Sequence, residues 1–320
     1  MASEGNAVRA PINIVKVKDS GSICAIACFP LNSACMSLHP SEAARALAWR
    51  AGTFRPEERA LAGECAVAIT YGRATHAVML ATPSDLEDFA VGFSLSEQVI
   101  SHPDEIERIE IVPLSQGVEL RIDLVPGRAE HYVRRRRMMA GPAGCGLCGA
   151  ESLESVMRPL GRVAEEFSLA PADVLAALAA LDQAQRINAE THGVHGAGFW
   201  DRGRGLLAVR EDIGRHNALD KLIGALGRAG IAAPNGMVVM TSRVSLELVQ
   251  KTVRAGAPIL AAMSAPSALA VRLADEAGLT LIAIARRDGF EVFSHPERLL
   301  GAVEQPLRRP AIATRHARIR

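Results

Sequence analysis

A pair of cysteines in a glycine-rich loop is the feature of this sequence best suited to chemistry. Cys145 and Cys148 lie within residues 141–149, which also hold four glycines and a proline. Glycine permits positive φ, so such a loop can bring its backbone and both sulfurs close to a partner. Free N–H groups at the start of a helix predicted from residue 151, and the arginines at 134–137, would lower the pKa of these thiols. The pattern therefore favours thiolate chemistry, and a thiolate is the form that attacks sulfur.

Three kinds of site fit this spacing. A structural zinc site needs four ligands, and the nearest further pair, Cys24 and Cys28, lies far away in a predicted tail. A dithiol redox site fits Cys-x-x-Cys, but no strand directly precedes the pair, as it would in a thioredoxin-like protein. A carrier of persulfide sulfur fits an exposed, electropositive, glycine-rich loop. Spacing by itself leaves all three open.

A second group of polar residues is predicted to surround the ends of parallel strands. Residues 192–198 combine two histidines with three glycines, and residues 211–221 concentrate charged groups where a strand meets a helix. Hydroxyl groups and arginines also follow three predicted strands, in segments 241–243, 264–267 and 286–289. In open parallel sheets, ligands bind outside the carboxyl ends of strands. Hydroxyls at helix N-termini with arginines suit a phosphate-bearing ligand, and ordinary capping by Ser242 and Ser267 is the alternative.

The elements that must position these groups divide into two predicted domains. Residues 56–133 are expected to form a small α+β domain, with a helix whose capping box uses Ser84 and Glu87, and with strands at 65–71, 76–81, 106–113 and 118–125. Residues 134–302 contain a hairpin at 194–210 and then alternating elements: helices at 171–186, 217–226, 245–255 and 266–277, and strands at 237–241, 258–263 and 279–285. Alternation of strands and helices implies right-handed crossovers and parallel pairing. We expect a three-layer α/β/α domain with a mixed sheet, because the hairpin is antiparallel.

The two ends of the chain are expected to lie outside these domains. Residues 1–55 carry Cys24, Cys28 and Cys35 but no sustained periodicity, so they are predicted to be a poorly ordered extension. Residues 303–320 are predicted to be a basic tail.

Composition excludes several classes of protein. The 320 residues contain 36 Lys+Arg and 35 Asp+Glu, and this formal net charge of +1 argues against a general nucleic-acid binder. No apolar run approaches the roughly 18 residues of a membrane span. With no secretion signal and few cysteines, we expect a cytoplasmic protein with reduced thiols. No Walker motif or dinucleotide fingerprint supports an ATPase or a dehydrogenase.

Several blocks together resemble one family. They are Cys-Gly-x-Cys-Gly at 145–149, Arg-Glu-Asp-Ile-Gly-Arg-His-Asn-Ala-Leu-Asp-Lys at 210–221, Ser-Arg-x-Ser at 242–245, and the segments 76–90 and 264–271. Taken together, these blocks resemble the formate dehydrogenase accessory sulfurtransferases, the FdhD family, over about residues 60–300.

The resemblance implies a function and a fold. It implies a carrier that takes persulfide sulfur from a cysteine desulfurase and delivers it to the molybdenum bis(molybdopterin guanine dinucleotide) cofactor, its bound substrate, for apo formate dehydrogenase. Cys145 would bear the persulfide and Cys148 would assist; no permanent metal is expected. The cofactor-binding segment would comprise Ile284, Ala285, Arg286, Arg287, Asp288 and Gly289. A homodimer and a second domain similar to the cytidine-deaminase fold are also implied.

Two other functions are weighed against this one. Deaminase chemistry is not expected, because the required His-x-Glu before the cysteine pair is missing and the spacing occurs only at His295 and Glu297. The alternative from another class is a non-catalytic chaperone that binds the molybdenum cofactor, and whose cysteines carry no sulfur.

Overall fold

A first domain is built on a four-stranded sheet. The structure is a computed structural model that describes residues 38–139, 160–163 and 166–302. The strands are β3 (Cys65–Tyr71), β4 (Ala74–Ala81), β5 (Ile106–Leu114) and β6 (Gly117–Leu124), in the order β4-β3-β6-β5. Every second side chain of β3 is buried, as the alternation predicts. Helix α1 (Leu86–Ser96) covers this face of the sheet with the buried ring of Phe89. The four predicted strands are thus found within two residues of their expected limits.

The start of α1 differs from the predicted capping box. Asp85 is the N-cap residue, in the left-handed region at φ 52°, and no side chain caps the helix. The carboxylate of Glu87 accepts a hydrogen bond from Arg228 of the second domain at 2.6 Å. Glu87 is therefore used for contact between domains, and the prediction of a Ser84 capping box is wrong.

Helix α2 (Pro126–Met139) crosses the expected boundary at residues 133/134. Tyr132 anchors it to the first domain, since its hydroxyl lies 3.0 Å from Nδ1 of His76 and its ring is buried. The arginine run at 134–137 therefore lies in a helix.

The second domain contains a mixed sheet, as predicted, and this sheet has six strands. Its order is β12-β11-β10-β9-β7-β8. The strands are β7 (His195–Asp201), β8 (Gly205–Asp212), β9 (Gly236–Met240), β10 (Ile259–Ala262), β11 (Thr280–Arg286) and β12 (Gly289–Ser294). Strands β9, β10 and β11 are parallel to one another, and the other pairings are antiparallel.

Helices cover both faces of this sheet and complete the three layers. They are α3 (Pro171–Ala184), α4 (Arg186–Thr191), α5 (Arg215–Ala229), α6 (Leu246–Arg254) and α7 (Ala268–Glu276). Side chains of α5, α6 and α7 share one apolar core with the sheet, and those of α3 share the other. Helix α4 and strand β12, two elements of six residues each, were not predicted from the sequence.

A hairpin precedes both domains. Strands β1 (Ser41–Arg50) and β2 (Thr53–Ala62) pair along their whole length as a two-stranded sheet. Ala51 and Gly52 both have positive φ, which makes the two-residue turn that suits the twist of a hairpin. The expectation of an extension without regular structure is therefore wrong for residues 41–55.

The two domains meet where α1 crosses α5. At this crossing a Cβ added to Gly92 would lie 1.7 Å from the carbonyl oxygen of Asp220, and one added to Gly224 would lie 1.9 Å from that of Asp88. Two glycines facing each other let the helix backbones touch. Within the described residues, no helix is long and apolar enough to cross a membrane.

Candidate functional site

Four segments meet at the carboxyl edge of the parallel strands. Strand β7 starts at this edge because it is antiparallel to β9. The backbone N–H of Thr241 donates to the carbonyl of Gly196 at 3.1 Å, and its hydroxyl accepts from the N–H of Gly196 at 3.0 Å. Val244 and Pro266 form a further parallel bridge between the loops after β9 and β10. The segments around residues 195, 241–244 and 264–267 therefore come together, as predicted for strand ends.

Residues 284–289 complete this edge with a strained strand end. Ile284 has φ 53°, a region that a β-branched residue rarely adopts and that costs of order 1–3 kcal/mol. Its N–H donates to the carbonyl of Ser264 at 3.2 Å, and the register with β12 shifts between Ala283 and Arg286. The guanidinium of Arg286 donates to the carbonyls of Met263 and Ala285. Residues 286–288 are left exposed beyond β10, the neighbouring strand.

Two half-buried imidazoles lie at the same edge. Nε2 of His216, in the first turn of α5, lies 3.2 Å from Oγ of Ser245 and 3.1 Å from the exposed carboxylate of Glu247. Burial lowers the pKa of His195, with Arg215 and Arg243 acting in the same direction. Burial, with Lys251 and Arg215, lowers the pKa of His216 to about 4. The edge thus presents arginines beside imidazoles that stay neutral at pH 7.

This lowered pKa predicts a loss of stability in acid. Unfolded His216 binds a proton near pH 6.5, whereas folded His216 does so near pH 4. His216 should therefore make its full contribution to the free energy of unfolding above pH 6.5. This contribution should be lost as the pH falls towards 4. Urea unfolding of wild type and His216→Asn at pH 7.0, 5.5 and 4.5 measures this contribution. Wild type should lose more stability than the variant, and equal losses would contradict the assignment.

The charged motif at 211–221 is mostly structural. Asp212 accepts hydrogen bonds from the N–H groups of Thr82 and Gly214 and from Nδ2 of Asn217, and its Oδ2 lies 2.6 Å from Nζ of Lys221. Nζ of Lys221 also donates to the carbonyl of Thr82 at 2.9 Å. The side chains of Asp212 and Lys221 are fully buried. The sequence interpretation of this whole cluster as a ligand site is therefore wrong, and Arg215 and His216 are the members placed at the carboxyl edge.

Further ion pairs fix α5 against its neighbours. The carboxylate of Asp220 accepts from Oγ of Ser96 at 2.6 Å and lies 2.5 Å from Nζ of Lys251. The carboxylate of Asp88 binds both Arg210 and Arg228. These contacts join α1, α5 and α6 and hold the first turn of α5 at the edge. No pattern in the sequence indicated that these partners meet.

Helix capping, the alternative to a ligand site, accounts for one of the two serines, Ser242 and Ser267. Oγ of Ser267 accepts from the N–H of Ala270 at 3.2 Å and caps α7. Oγ of Ser242 instead donates to the carbonyl of Arg243, and Ser245 is the N-cap residue of α6. Helix capping therefore explains Ser267 and leaves the role of Ser242 open to other contacts.

Cys145 and Cys148, the predicted catalytic pair, lie outside the described residues, as do Cys24, Cys28 and Cys35. After the pair, the next residues that the structure describes begin at 160. There the N–H of Val163 donates to the carbonyl of Ala277 just before β11, at the opposite edge of the sheet.

Cys65 is the one cysteine within the described ranges, and it is buried in the first domain. Burial raises the pKa of its thiol, which makes Cys65 a poor nucleophile.

Comparison with known proteins shows similarity along both domains. The sequence profile described as the FdhD/NarQ family matches residues 62–300. The sulfur carrier protein FdhD of Agrobacterium fabrum is 52% identical over 254 residues, which are 79% of this chain and 94% of that protein. The protein of the same name from Brucella abortus is 49% identical over 255 residues, 79% of this chain and 95% of its own.

A solved structure shows the same similarity in three dimensions. It is a protein from Desulfotalea psychrophila described as a formate dehydrogenase accessory protein, with a TM-score of 0.67 and 28% sequence identity. The match covers 81% of this chain and 99% of that one.

Proposed function

The chain belongs to the FdhD/NarQ family, and from this premise we propose that it is a sulfur carrier for formate dehydrogenase. The observation that carries the proposal is the identity of about half of all aligned residues with proteins named sulfur carrier protein FdhD, over most of both chains. The fold supports it, because the solved structure that matches both domains is described as a formate dehydrogenase accessory protein.

The proposed chemistry starts on Cys145. Its thiolate attacks the outer sulfur of a persulfide on a cysteine desulfurase, the sulfur–sulfur bond of the donor breaks, and the donor cysteine leaves as a thiolate. Cys145 then carries the persulfide. Once the recipient is bound, attack of the Cys148 thiolate on the inner sulfur releases the outer sulfur as hydrosulfide and leaves a disulfide between the two cysteines. The two thiols thus supply the two electrons that reduce the transferred sulfur.

The proposed recipient is the molybdenum bis(molybdopterin guanine dinucleotide) cofactor, bound as substrate at the carboxyl edge. Residues 284–289 lie there on a bulged strand end with exposed Arg286 and Arg287. Arginine guanidinium groups suit diphosphate oxygens, with which they form charge-assisted hydrogen bonds. The imidazole of His195 is neutral, so the positive charge near it comes from Arg215 and Arg243. Apo formate dehydrogenase is the protein we expect to receive the sulfurated cofactor.

Intact mass measurement tests sulfur transfer. After incubation with a cysteine desulfurase and cysteine, wild type should gain one sulfur mass that reductant removes, and Cys145→Ala should gain none. Cys65→Ala is the matched control, because its buried thiol should contribute nothing. No gain in wild type, with guanine nucleotide still bound, would overturn sulfur carrying and favour the cofactor chaperone.

Nucleotide titration tests the binding edge separately. Arg287→Gln should weaken binding of guanosine diphosphate about tenfold, the equivalent of one charge-assisted hydrogen bond. Arg202→Gln, an exposed arginine in the turn between β7 and β8 at the other edge, should leave affinity unchanged. Titration calorimetry measures the affinity of both variants for guanosine diphosphate. Equal affinities for Arg287→Gln and wild type would show that residue 287 does not bind the nucleotide.

A further inference from the structure

The sheet of the first domain is covered by α1 on one face, and its other face carries an apolar patch. Val78 is 64% exposed, Leu80 59% and Leu114 50%. Val78 and Leu80 alternate along β4 with side chains that pack against the core under α1, so they point to the opposite face. Neither they nor Leu114 belong to a hydrophobic cluster of the described residues. Large apolar side chains exposed together in this way mark an interaction surface.

The patch has the shape of a shallow groove. Leu80 lies opposite Ala66 in β3, and Leu114 lies opposite Gly117 in β6. A Cβ added to Gly117 would lie 3.1 Å from Cβ of Ala66, so these two small residues are neighbours on this face. They form the floor of the groove, and Val78, Leu80 and Leu114 on the two edge strands form its walls. Three strand spacings separate the walls by roughly 14 Å, which is wide enough for one segment of chain with its side chains.

Ion pairs occupy the far half of the same face. Arg108 lies 2.7 Å from the carboxylate of Asp123. Arg121 lies 2.9 Å from Glu119 and 3.8 Å from Glu110. These charges neutralise one another, and the groove lies at the other end of the sheet, where β3 begins. The segment that fits the groove is therefore apolar and short.

The chain enters the first domain beside the groove. The carbonyl of Pro40 accepts from the N–H of Gly63 at 2.8 Å, just before β3 begins. Leu38, the first residue that the structure describes, packs against the core of the same domain. Residues 1–37 precede it and lie outside the described residues. The part of this segment closest to Leu38 along the chain is thus also the part that reaches the groove most easily.

We infer that residues 23–31 of the same chain occupy this groove. All nine are apolar, with two isoleucines, a phenylalanine and a leucine, and such a run is costly to leave in water. The connection from residue 31 to Leu38 spans at most about 23 Å when extended, enough to pass round the start of β3 onto the groove. The run carries no charge, whereas residues 9–19 carry four. Length, position and polarity therefore favour residues 23–31 over the rest of the preceding segment.

The β1–β2 hairpin offers a rival surface and a matched control. Leu47 is 64% exposed, as Val78 is, and it also lies close to the run along the chain. The hairpin is a two-stranded sheet, so it has no central strands to form a floor between apolar walls. The run also precedes the region matched by the family profile, which begins at residue 62. The inference does not rest on the proposed function, and failure of either leaves the other intact.

Thiol labelling of the full chain tests the inference, because the run contains Cys24 and Cys28. N-ethylmaleimide followed by peptide mapping gives the rate of labelling at each cysteine. In wild type both should react about tenfold or more slowly than in urea, since labelling then requires the run to leave the groove. Val78→Asp combined with Leu80→Asp should raise both rates to about those in urea, because a carboxylate in the wall would be buried without a partner. Leu47→Asp should leave both rates unchanged.

The buried thiol of Cys65 is the internal reference for these rates. Its slow labelling in every variant shows that the first domain stays folded. Fast labelling of Cys24 and Cys28 in wild type would overturn the inference. Release by Leu47→Asp would assign the run to the hairpin and would overturn it too. Protection that is lost on dilution would show that a separate molecule, rather than the same chain, fills the groove.

Disulfide formation gives a second readout in a chain whose groove walls are intact. Ala66→Cys places a thiol on the floor of the groove, and oxidation with copper phenanthroline should join it to Cys24 or Cys28, because a disulfide requires Cβ atoms about 4 Å apart. Leu47→Cys should form no such bond. Absence of the bond in Ala66→Cys, or equal yields from the two variants, would refute the proposed placement.

Discussion

Replacement of Lys221 by Met should lower the free energy of unfolding by about 3–5 kcal/mol, the usual effect of removing one partner from a buried ion pair. The side chains of Lys221 and Asp212 are both fully buried, with Nζ and Oδ2 2.6 Å apart. Without the ammonium group, the carboxylate of Asp212 stays buried with no opposite charge beside it. The carbonyl of Thr82, which accepts from the same Nζ, also loses its donor. Urea unfolding followed by circular dichroism measures the change.

A surface ion pair provides the control for Lys221→Met. Arg121 is 45% exposed and lies 2.9 Å from the carboxylate of Glu119. Arg121→Met should lower stability by about 1 kcal/mol or less, as exposed pairs do. Asp212→Asn with Lys221→Met should be less destabilised than the sum of the single variants, because neither charge is then left alone. Additive losses would show that the two groups do not act as a pair.

The same pair shows why the role of the 211–221 motif could not be predicted from local sequence. Polar residues at a strand–helix junction are typical both of ligand sites and of buried networks. The partner of Lys221 that decides between them, the carbonyl of Thr82, lies 139 positions away in the chain. Side-chain pattern within the motif carries no information about that contact. Only the packing of the two domains shows that Lys221 faces inward, whereas His216 lies at the carboxyl edge.

Elements with a strong pattern were predicted well. Every second residue of strand β3 from Cys65 to Tyr71 is buried, and the predicted limits of the strand are confirmed. A helix predicted at 217–226 is found as α5 (Arg215–Ala229), and its C-cap residue is Gly230 with φ 63°. The mixed sheet was predicted from alternating elements and an antiparallel hairpin, and its mixture of parallel and antiparallel pairs is confirmed.

Elements with a weak pattern were missed. The hairpin strands β1 and β2 are rich in alanine and arginine, residues that favour helices, and contain no valine or isoleucine. Their pairing depends on the turn at Ala51 and Gly52 rather than on strand propensity. Of the candidate site, the strand ends could be placed from sequence because parallel strands share one edge. The strain at Ile284 could not, because it arises where β11 shifts its register against β12.

Replacement of Gly224 by Ala should destabilise the protein by about 3 kcal/mol or more, at the upper end of the effects of overpacking. The new Cβ would lie 1.9 Å from the carbonyl oxygen of Asp88, far inside the contact distance of any real methyl group. The oxygen belongs to the backbone of α1 and the Cβ is attached directly to the backbone of α5, so neither can turn away and the two helices must move apart. The gain of about 1 kcal/mol in helix propensity from glycine to alanine offsets only part of this loss.

Separation of the helices should also weaken the ion pairs that cross the interface. Asp88 of α1 binds Arg210 and Arg228, and Ser96 of α1 donates to Asp220, from positions next to the crossing. Gly127→Ala is the matched control, because Gly127 lies in helix α2 and a Cβ there would meet nothing within 4 Å. Thermal and urea unfolding should show Gly127→Ala at or slightly above wild-type stability and Gly224→Ala well below it. Two glycine variants of equal stability would mean that α1 and α5 do not touch at Gly92 and Gly224, and the domains would then be held by their ion pairs rather than by close helix packing.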